Sequence, residues 1–246
     1  MELLQTDQSP SVIVIGGSGR VGKAVLEALK GSSSIVTVGR YSLADQGRFE
    51  DELLAVIDSG SLVLNMAGVA HLGRRPTPAE LDALVAANVA LPLTIARICL
   101  ERNTHLVHVS SAKAAFTGAN ADPYSWSKRA CDTALCESFG AEYLGAKLSL
   151  AIMRPPALLI PPFDAGKLRM LRFLAHINRA VIPPIALPVL SKDRFIGRVK
   201  TTVCEMLTEA TRRPGASIIN WHRSDCDSLA DIADAMKADR NEARNE

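Results

Sequence analysis

Tyr124 and Lys128 stand four residues apart in Tyr124-Ser125-Trp126-Ser127-Lys128. On a helix that spacing places a phenol and an ammonium on one face, a turn apart. Free tyrosine titrates near pH ~10, and a neighbouring ammonium favours the phenolate. The pair therefore suits an acid or base working near neutral pH. Ser111 lies thirteen residues before the tyrosine, just beyond the apolar run Leu106-Val107-His108-Val109. A hydroxyl there can hold a substrate oxygen while the tyrosine moves its proton. Ser110 competes for this role, but the spacing favours Ser111. Alone, a Tyr-x-x-x-Lys is more often an ordinary helix face, so the elements around it have to decide.

The first such element is Ser11-Val12-Ile13-Val14-Ile15, β-branched and short, a buried strand by composition. It runs into Gly16-Gly17-Ser18-Gly19-Arg20-Val21-Gly22, and an amphipathic helix follows over Lys23 to Lys30, stopped by Gly31. Strand, glycine turn and helix make the setting of a dinucleotide site. Gly16 permits the tight turn, Gly19 lets the backbone approach a pyrophosphate, and Gly22 lets helix pack on strand. Ser18, Arg20 and Val21 complete the turn at the positive end of the helix. A second strand, Ile35 to Val38, ends in Gly39-Arg40. NAD-selecting sites usually place an acid there; Arg40 instead suits a 2′-phosphate, and Arg20 is a second cation nearby. NADP(H) is thus preferred, with NAD(H) possible.

Residues 41–60 leave room for a helix, Phe49 to Ile57, but only a scrap of strand at Leu43-Ala44, so the sheet edge is expected to be truncated. Ser61 to Leu64 is the next strand. Asn65, Ala67 and Gly68 at its end suit a passing cofactor, Ala67 and Gly68 because they present little side chain. A long helix over Pro78 to Cys99 carries Asn88, which is unfavourable there unless its amide is used. Pro92 marks a kink or break in it. His71 and Lys113 lie on loops near the expected substrate mouth. His105 and His108 flank a strand and read as structural.

Bulk properties narrow the class. The chain has 246 residues, is 48% hydrophobic and 22% charged, and carries a formal net charge of +2. That fits one large globular domain, or one domain with a small appendage, and gives no basis for nucleic acid or an anionic membrane as partner. No unbroken apolar run reaches the ~20 residues that cross a bilayer. The N-terminal ten residues are polar and acidic, unlike a secretory signal. Cysteines 99, 131, 136, 204 and 226 include no C-x-x-C pair, as expected of reduced thiols in a cytoplasm. Cys131 and Cys136 read as packing residues. No His/Cys/Asp set has metal-ligand spacing, so no metal is expected.

Gly16-x-x-Gly19-x-x-Gly22, Asn65-Met66-Ala67-Gly68, Asn88, Ser111 and Tyr124-x-x-x-Lys128 follow one another in order. Together they resemble the short-chain dehydrogenase/reductase superfamily. The glycine spacing and Arg154-Pro155-Pro156 are similar to its extended branch, the NAD-dependent epimerase/dehydratase family, which acts largely on nucleotide sugars. The resemblance implies an α/β fold: a Rossmann-type doubly wound parallel sheet with helices on both faces and a small C-terminal substrate-binding part. Residues 11–160 would form the dinucleotide-binding domain and 161–246 the shortened substrate part, with 217–237 returning to the sheet. Lys147 to Pro156 looks like the sixth strand and the loop behind the nicotinamide, where Pro155 would meet the cofactor. Asp193 to Ile196 looks like a worn sugar-nucleotide segment. Arg194, and Arg172 on a basic helix over 167–179, are substrate candidates. The apolar, proline-punctuated run 180–190 would be a cover or a partner surface.

The resemblance also implies roles. Tyr124 would be the acid/base, and Lys128 would lower its pKa and hold the nicotinamide ribose. Ser111 would bind the substrate oxygen, and Asn88 would hold a water or backbone geometry behind the lysine. Ala112-Lys113 replace the acidic pair of the dehydratases, which counts against dehydration. Three readings follow: an NADP(H)-dependent reductase of a nucleotide-sugar keto group, an NAD-dependent epimerase, and a non-catalytic NAD(P)-binding regulator. A homodimer is expected by resemblance, and the substrate class rests on analogy because fold does not fix chemistry.

Overall fold

The computed structural model describes residues 11–31, 34–38, 46–58, 61–69, 76–117, 122–140, 148–160, 189–208 and 215–227. Strands β1 (Ser11–Ile15), β2 (Ser34–Val38), β3 (Leu62–Asn65), β4 (His105–Val109), β5 (Ser149–Arg154) and β8 (Gly215–Asn220) form one sheet in the order β2-β1-β3-β4-β5-β8. Every neighbouring pair in it is parallel. β6 (Ala157–Leu159) and β7 (Val189–Ser191) pair separately, also parallel. The helices are α1 (Arg20–Leu29), α2 (Gln46–Val56), α3 (Pro78–Val85), α4 (Leu91–Glu101), α5 (Pro123–Ser138) and α6 (Lys192–Leu207).

Side chains alternate across a strand, and here both faces are apolar because both are covered. Ile13, Ile15, Val63, Leu106 and Ile152 pack with Phe49 and Leu53 of α2, Ile95 and Ile98 of α4, and Leu135 of α5. Val12, Val14, Leu64, Val107 and Met153 pack on the other face with Val25 and Leu29 of α1 and Phe195 and Val199 of α6. This is the doubly wound arrangement that the motifs imply. β1 lies between β2 and β3, so the winding reverses there, the point at which open α/β sheets bind ligands beyond their strand ends.

Several boundaries differ from the sequence reading. α1 begins at Arg20, three residues early, because Gly19 is extended and serves as its N-cap, with the Lys23 N–H donating to the Gly19 carbonyl at 2.9 Å. Among the described residues β2 is the sheet edge; Leu43-Ala44 lie outside them. Pro92 does not break its helix. Instead a π turn, Ala86–Ala90, joins α3 to α4, and the Leu91 N–H reaches the Ala86 carbonyl. A proline ring at 92 would crowd the Asn88 carbonyl in a regular α-helix, and the wider turn relieves this.

The run Pro78–Glu101 is 24 residues and apolar enough to cross a membrane by length and composition. It is not an unbroken apolar run, since Glu80, Asp82, Pro92 and Arg97 interrupt it. Half of its most apolar window is buried inside the domain, where Leu91, Ile95, Ile98 and Cys99 serve the core. Of the run 180–190, Val189 and Leu190 are described. They are buried strand residues rather than an exposed surface. The helix expected at 167–179 and the segment 228–237 lie outside the described residues. The last expected strand is present as β8, and Trp221 after it stacks on Phe195 with ring centroids 6.3 Å apart.

Candidate active site

The glycine turn is built by close approach. Gly16 has φ +84°, and a Cβ there would lie 2.5 Å from the Ala67 nitrogen. A Cβ at Gly22 would lie 2.2 Å from the Gly16 carbonyl oxygen. Both positions exclude any side chain, which seats the start of α1 directly on the ends of β1 and β3. Ser18, Gly19 and Arg20 are exposed, Val21 is partly buried, and no side chain caps the helix. The N–H groups of its first turn, which have no partner within the helix, face outward at the positive end of the helix dipole. Arg40 lies outside the described residues.

The end of β3 is held by two asparagines. Asn65 is wholly buried. Its Oδ1 accepts from the Ala67 N–H at 3.0 Å, and its Nδ2 lies 3.1 Å from His108 Nδ1. With both ends of its amide engaged, Asn65 positions Ala67 and Gly68. Asn88, in the π turn, is also fully buried. It accepts from the Val69 N–H at 2.9 Å and donates to the Val69 carbonyl at 2.9 Å and to Ser127 Oγ at 3.2 Å. Its amide is therefore used in full, which accounts for an asparagine inside a helix. Gly68 itself is exposed, and a Cβ on it would lie 2.9 Å from Asn88 Oδ1 and 3.3 Å from Lys128 Nζ.

Ser111 leaves the end of β4, where the Ser110 N–H binds the Met153 carbonyl and the Ala112 N–H binds that of Pro155, each at 2.8 Å. Pro155 is thus buried against the strand end that carries Ser111. The Ser111 Oγ accepts from the Lys113 N–H at 3.2 Å, starting a short 3-10 turn. Across from it, α5 starts with Pro123 at its first position and Asp122 as its N-cap, accepting from the Ser125 N–H at 2.7 Å. This start brings the Tyr124 phenol near the Ser111 hydroxyl, which favours its ionised form.

The expected lowering of the phenol by Lys128 is not what the structure shows. Burial raises the Tyr124 pKa, the Ser111 hydrogen bond opposes it, and Asp122 and Asp132 add to the rise. Lys128 is buried, and its ammonium donates to the Val109 carbonyl at 3.4 Å. Burial in turn pushes that ammonium below the usual lysine range, with Cys131 and Asp132 pulling the other way. In this state Tyr124 is a protonated phenol at neutral pH.

The sequence profile described as "NAD dependent epimerase/dehydratase family" matches residues 12–183. The chain belongs to that family. It is accordingly a nicotinamide-dependent enzyme, and the β1/β3 reversal is where a fold of this kind receives a dinucleotide. A comparison with curated proteins returned no match. Among solved structures the family member is similar to a GDP-L-fucose synthetase from Naegleria fowleri, at 16% identity and a TM-score of 0.65, covering 94% of this chain and 83% of that one. It is also similar to RMD from Pseudomonas aeruginosa complexed with NADPH, at 16% and 0.59, covering 92% and 82%. A third is MoeE5 in complex with UDP-glucose and NAD, at 16% and 0.62, covering 90% and 79%. At these identities the likeness concerns the fold.

Motif reading missed the layer beneath the site. Asp132, four residues after Lys128, is 1% exposed on its side chain and takes Arg154 Nε at 2.7 Å. Burial pushes its carboxyl up, while Ser110, Arg154 and Lys128 pull it down. Its spacing from Lys128 was a usable signal, since residues four apart share a helix face. His108 accepts at Nδ1 from Asn65, so its Nε2–H faces Cys131 Sγ at 3.7 Å. Burial and the charge of Lys128 hold this imidazole well below its usual pKa, hence neutral.

His108, Cys131 and Asp132 have ligand atoms within 4.8 Å of one another, a meeting that sequence spacing does not reveal. Each is already engaged by the protein: His108 by Asn65, Asp132 by Arg154, and Cys131 by His108, with its thiol pushed up to about 12 by burial. We read the three as a polar cluster of the core. His105 is buried, and its Nδ1 accepts from the Ser149 N–H. Arg194 pairs with Asp227 at 3.0 Å, which ties α6 to the chain beyond β8. His71 and Arg172 lie outside the described residues.

Proposed function

We propose that this chain is an NADP(H)-dependent reductase that converts a keto group, of a nucleotide sugar by the analogy above, into an alcohol. The observation that carries this reading is the Tyr124 phenol, kept protonated by burial and near the Ser111 hydroxyl, beside the exposed Gly68 and the uncapped start of α1. The residues fit a dinucleotide on two counts. Gly16 and Gly22 let the start of α1 pack against the backbone at the ends of β1 and β3, closer than any Cβ would allow, and the free N–H groups at α1 suit a pyrophosphate. Bound there, the cofactor supplies hydride to the carbonyl carbon.

Ser111 holds the carbonyl oxygen, and Tyr124 gives it the phenol proton as charge develops. A raised phenol pKa keeps the proton in place until then, which is the form a reduction needs. Lys128 lies beside Gly68, where a ribose passing over the strand end would meet its ammonium. Arg20, exposed at the first position of α1, and Arg40 in sequence after β2 support the 2′-phosphate preference. Pro155 backs the nicotinamide end. Residues 161–246, without β8, would supply the substrate part, in a cytoplasmic protein.

A homodimer through α4 and α5 is part of this reading. Tyr124, Lys128, Cys131 and Leu135 share one face of α5, while Trp126, Ala130, Thr133 and Glu137 line a groove on the opposite face. Trp126 there is 54% exposed.

Two measurements test the proposal. Paired fluorescence titrations with NADPH and NADH should show tighter, reversible NADPH binding; tightly retained NAD would instead favour the epimerase. Tyr124→Phe should bind cofactor normally and lose turnover of a keto-sugar nucleotide by at least ~100-fold. A variant with near-full rate would overturn the role of Tyr124.

A further inference from the structure

Lys113 has no part in the mechanism above, yet it faces the reacting group. Its ammonium lies 5.8 Å from the centroid of the Tyr124 ring, over the ring face. A 2.8 Å ion pair with Asp122 Oδ2 holds it there. Asp122 is itself fixed, because its other oxygen caps α5. Burial would raise this carboxyl, but hydrogen bonds from Lys113 and Ser125 and the charge of Lys113 outweigh it and hold it at about 2. The anchor is therefore charged throughout the working pH range. The Lys113 main chain is committed as well, its N–H donating to Ser111 Oγ. One residue thus touches both members of the Ser111/Tyr124 pair, by backbone on one side and by side chain on the other.

We propose that Lys113 is a positioning residue for Tyr124: its ammonium, moored by Asp122 over the ring face, stabilises the phenolate left when the proton departs. An ammonium over an aromatic face is attracted by the ring's negative π cloud, and that cloud is richer in phenolate than in phenol. The attraction therefore grows as the proton leaves, which is the differential stabilisation catalysis requires. Lys128, the ammonium that spacing suggests for this task, is directed at the Val109 carbonyl.

The other charged groups around the phenol are few among the described residues. Asp122 and Asp132 from α5 oppose ionisation. Lys128 from the same helix is buried below, and Arg154 of β5 reaches the site only through Asp132. Lys113, from the turn after β4, is the cation on the open side, with a side chain 39% exposed.

The proposal rests on Tyr124 as the acid, but its test needs neither substrate nor nucleotide. The chain has three tyrosines, Tyr41, Tyr124 and Tyr143. A near-ultraviolet tyrosinate titration of the full chain, with the Tyr124→Phe curve subtracted, isolates the Tyr124 midpoint. Lys113→Met keeps most of the apolar stem and removes the charge. It should raise that midpoint by about half a pH unit, and Lys113→Arg should restore it. Lys113→Gln gives a second neutral variant should the methionine protein fail to fold.

A merely structural Lys113–Asp122 pair would lower the melting temperature and leave the midpoint where it was. An unmoved midpoint in a folded neutral variant overturns the proposal, as does a midpoint that the arginine variant fails to restore. Failure of the reductase reading would show elsewhere, as unimpaired turnover by Tyr124→Phe.

Discussion

Replacing Asp132 by leucine would strip Arg154 of its partner where there is almost no water to replace it. The two side chains are 1% and 17% exposed, and the contact is 2.7 Å. Breaking such a pair from one side leaves an uncompensated buried charge and costs about 3–5 kcal/mol. That is a large part of the ~5–15 kcal/mol that holds a domain folded. Arg154→Met alone should cost a similar amount, because it leaves the carboxylate stranded. The double variant Asp132→Leu/Arg154→Met removes both desolvation penalties and should recover most of the loss, giving a coupling energy of about 3 kcal/mol in a double-mutant cycle.

Urea unfolding followed by far-ultraviolet circular dichroism measures this, and constant slopes would show that the unfolded state has not changed. Activity should not follow stability. The charge of Asp132 supports the Lys128 ammonium, so its loss lowers the lysine pKa further in both the single and the double variant. An Arg154→Met protein as stable as the parent would refute the reasoning, since it would mean that Asp132 is protonated and the pair is not ionic. A double variant no more stable than the singles would refute it equally.

Gly22→Ala should cost about 1–3 kcal/mol, because its Cβ would meet backbone at Gly16 and Gly17, and backbone cannot rotate away. The same shift should weaken nicotinamide binding, which a fluorescence titration reads alongside the melting temperature. Asp122→Asn keeps a helix cap and removes the charge. The folded pKa of Asp122 is depressed from 3.8 to about 2, so its contribution is present above the unfolded value and is lost as pH falls through the folded one. Its side chain is 43% exposed, so screening limits that contribution to about 1 kcal/mol. The stability gap between parent and Asp122→Asn, followed by thermal melts, should close as pH falls from about 4 to about 2.

The fold was legible where local pattern and tertiary need coincide. β1 reads as a buried strand because Val12 to Ile15 alternate between two apolar layers, and the glycine turn reads because Gly16 and Gly22 admit no other residue. The spacing of Ser111, Tyr124 and Lys128 placed them on one strand end and one helix face. The direction of the Tyr124 pKa was not legible. Sequence spacing names the neighbours, but burial decides which of them prevails. Nor was the His108/Cys131/Asp132 cluster, since its members meet only once β4 lies beneath α5. The partner of Asn65 was not legible either: His108, which its amide meets, is 43 residues away.

The π turn between α3 and α4 makes the helix sensitive to its length in a way that a plain α-helix is not. One residue added to a turn rotates everything beyond it by about 100° about the axis. Here that rotation lets Asn88 reach the Val69 backbone while Leu91 and Ile95 still find the core. Deleting one alanine from 86–90 would remove the wider turn and set the Pro92 ring against the carbonyl four residues before it. It would also turn either the asparagine off the β3 loop or the apolar stripe off the sheet. The segment can therefore exchange many of its side chains, but its residue count is fixed, because the phase between the site and the core is stored in that number.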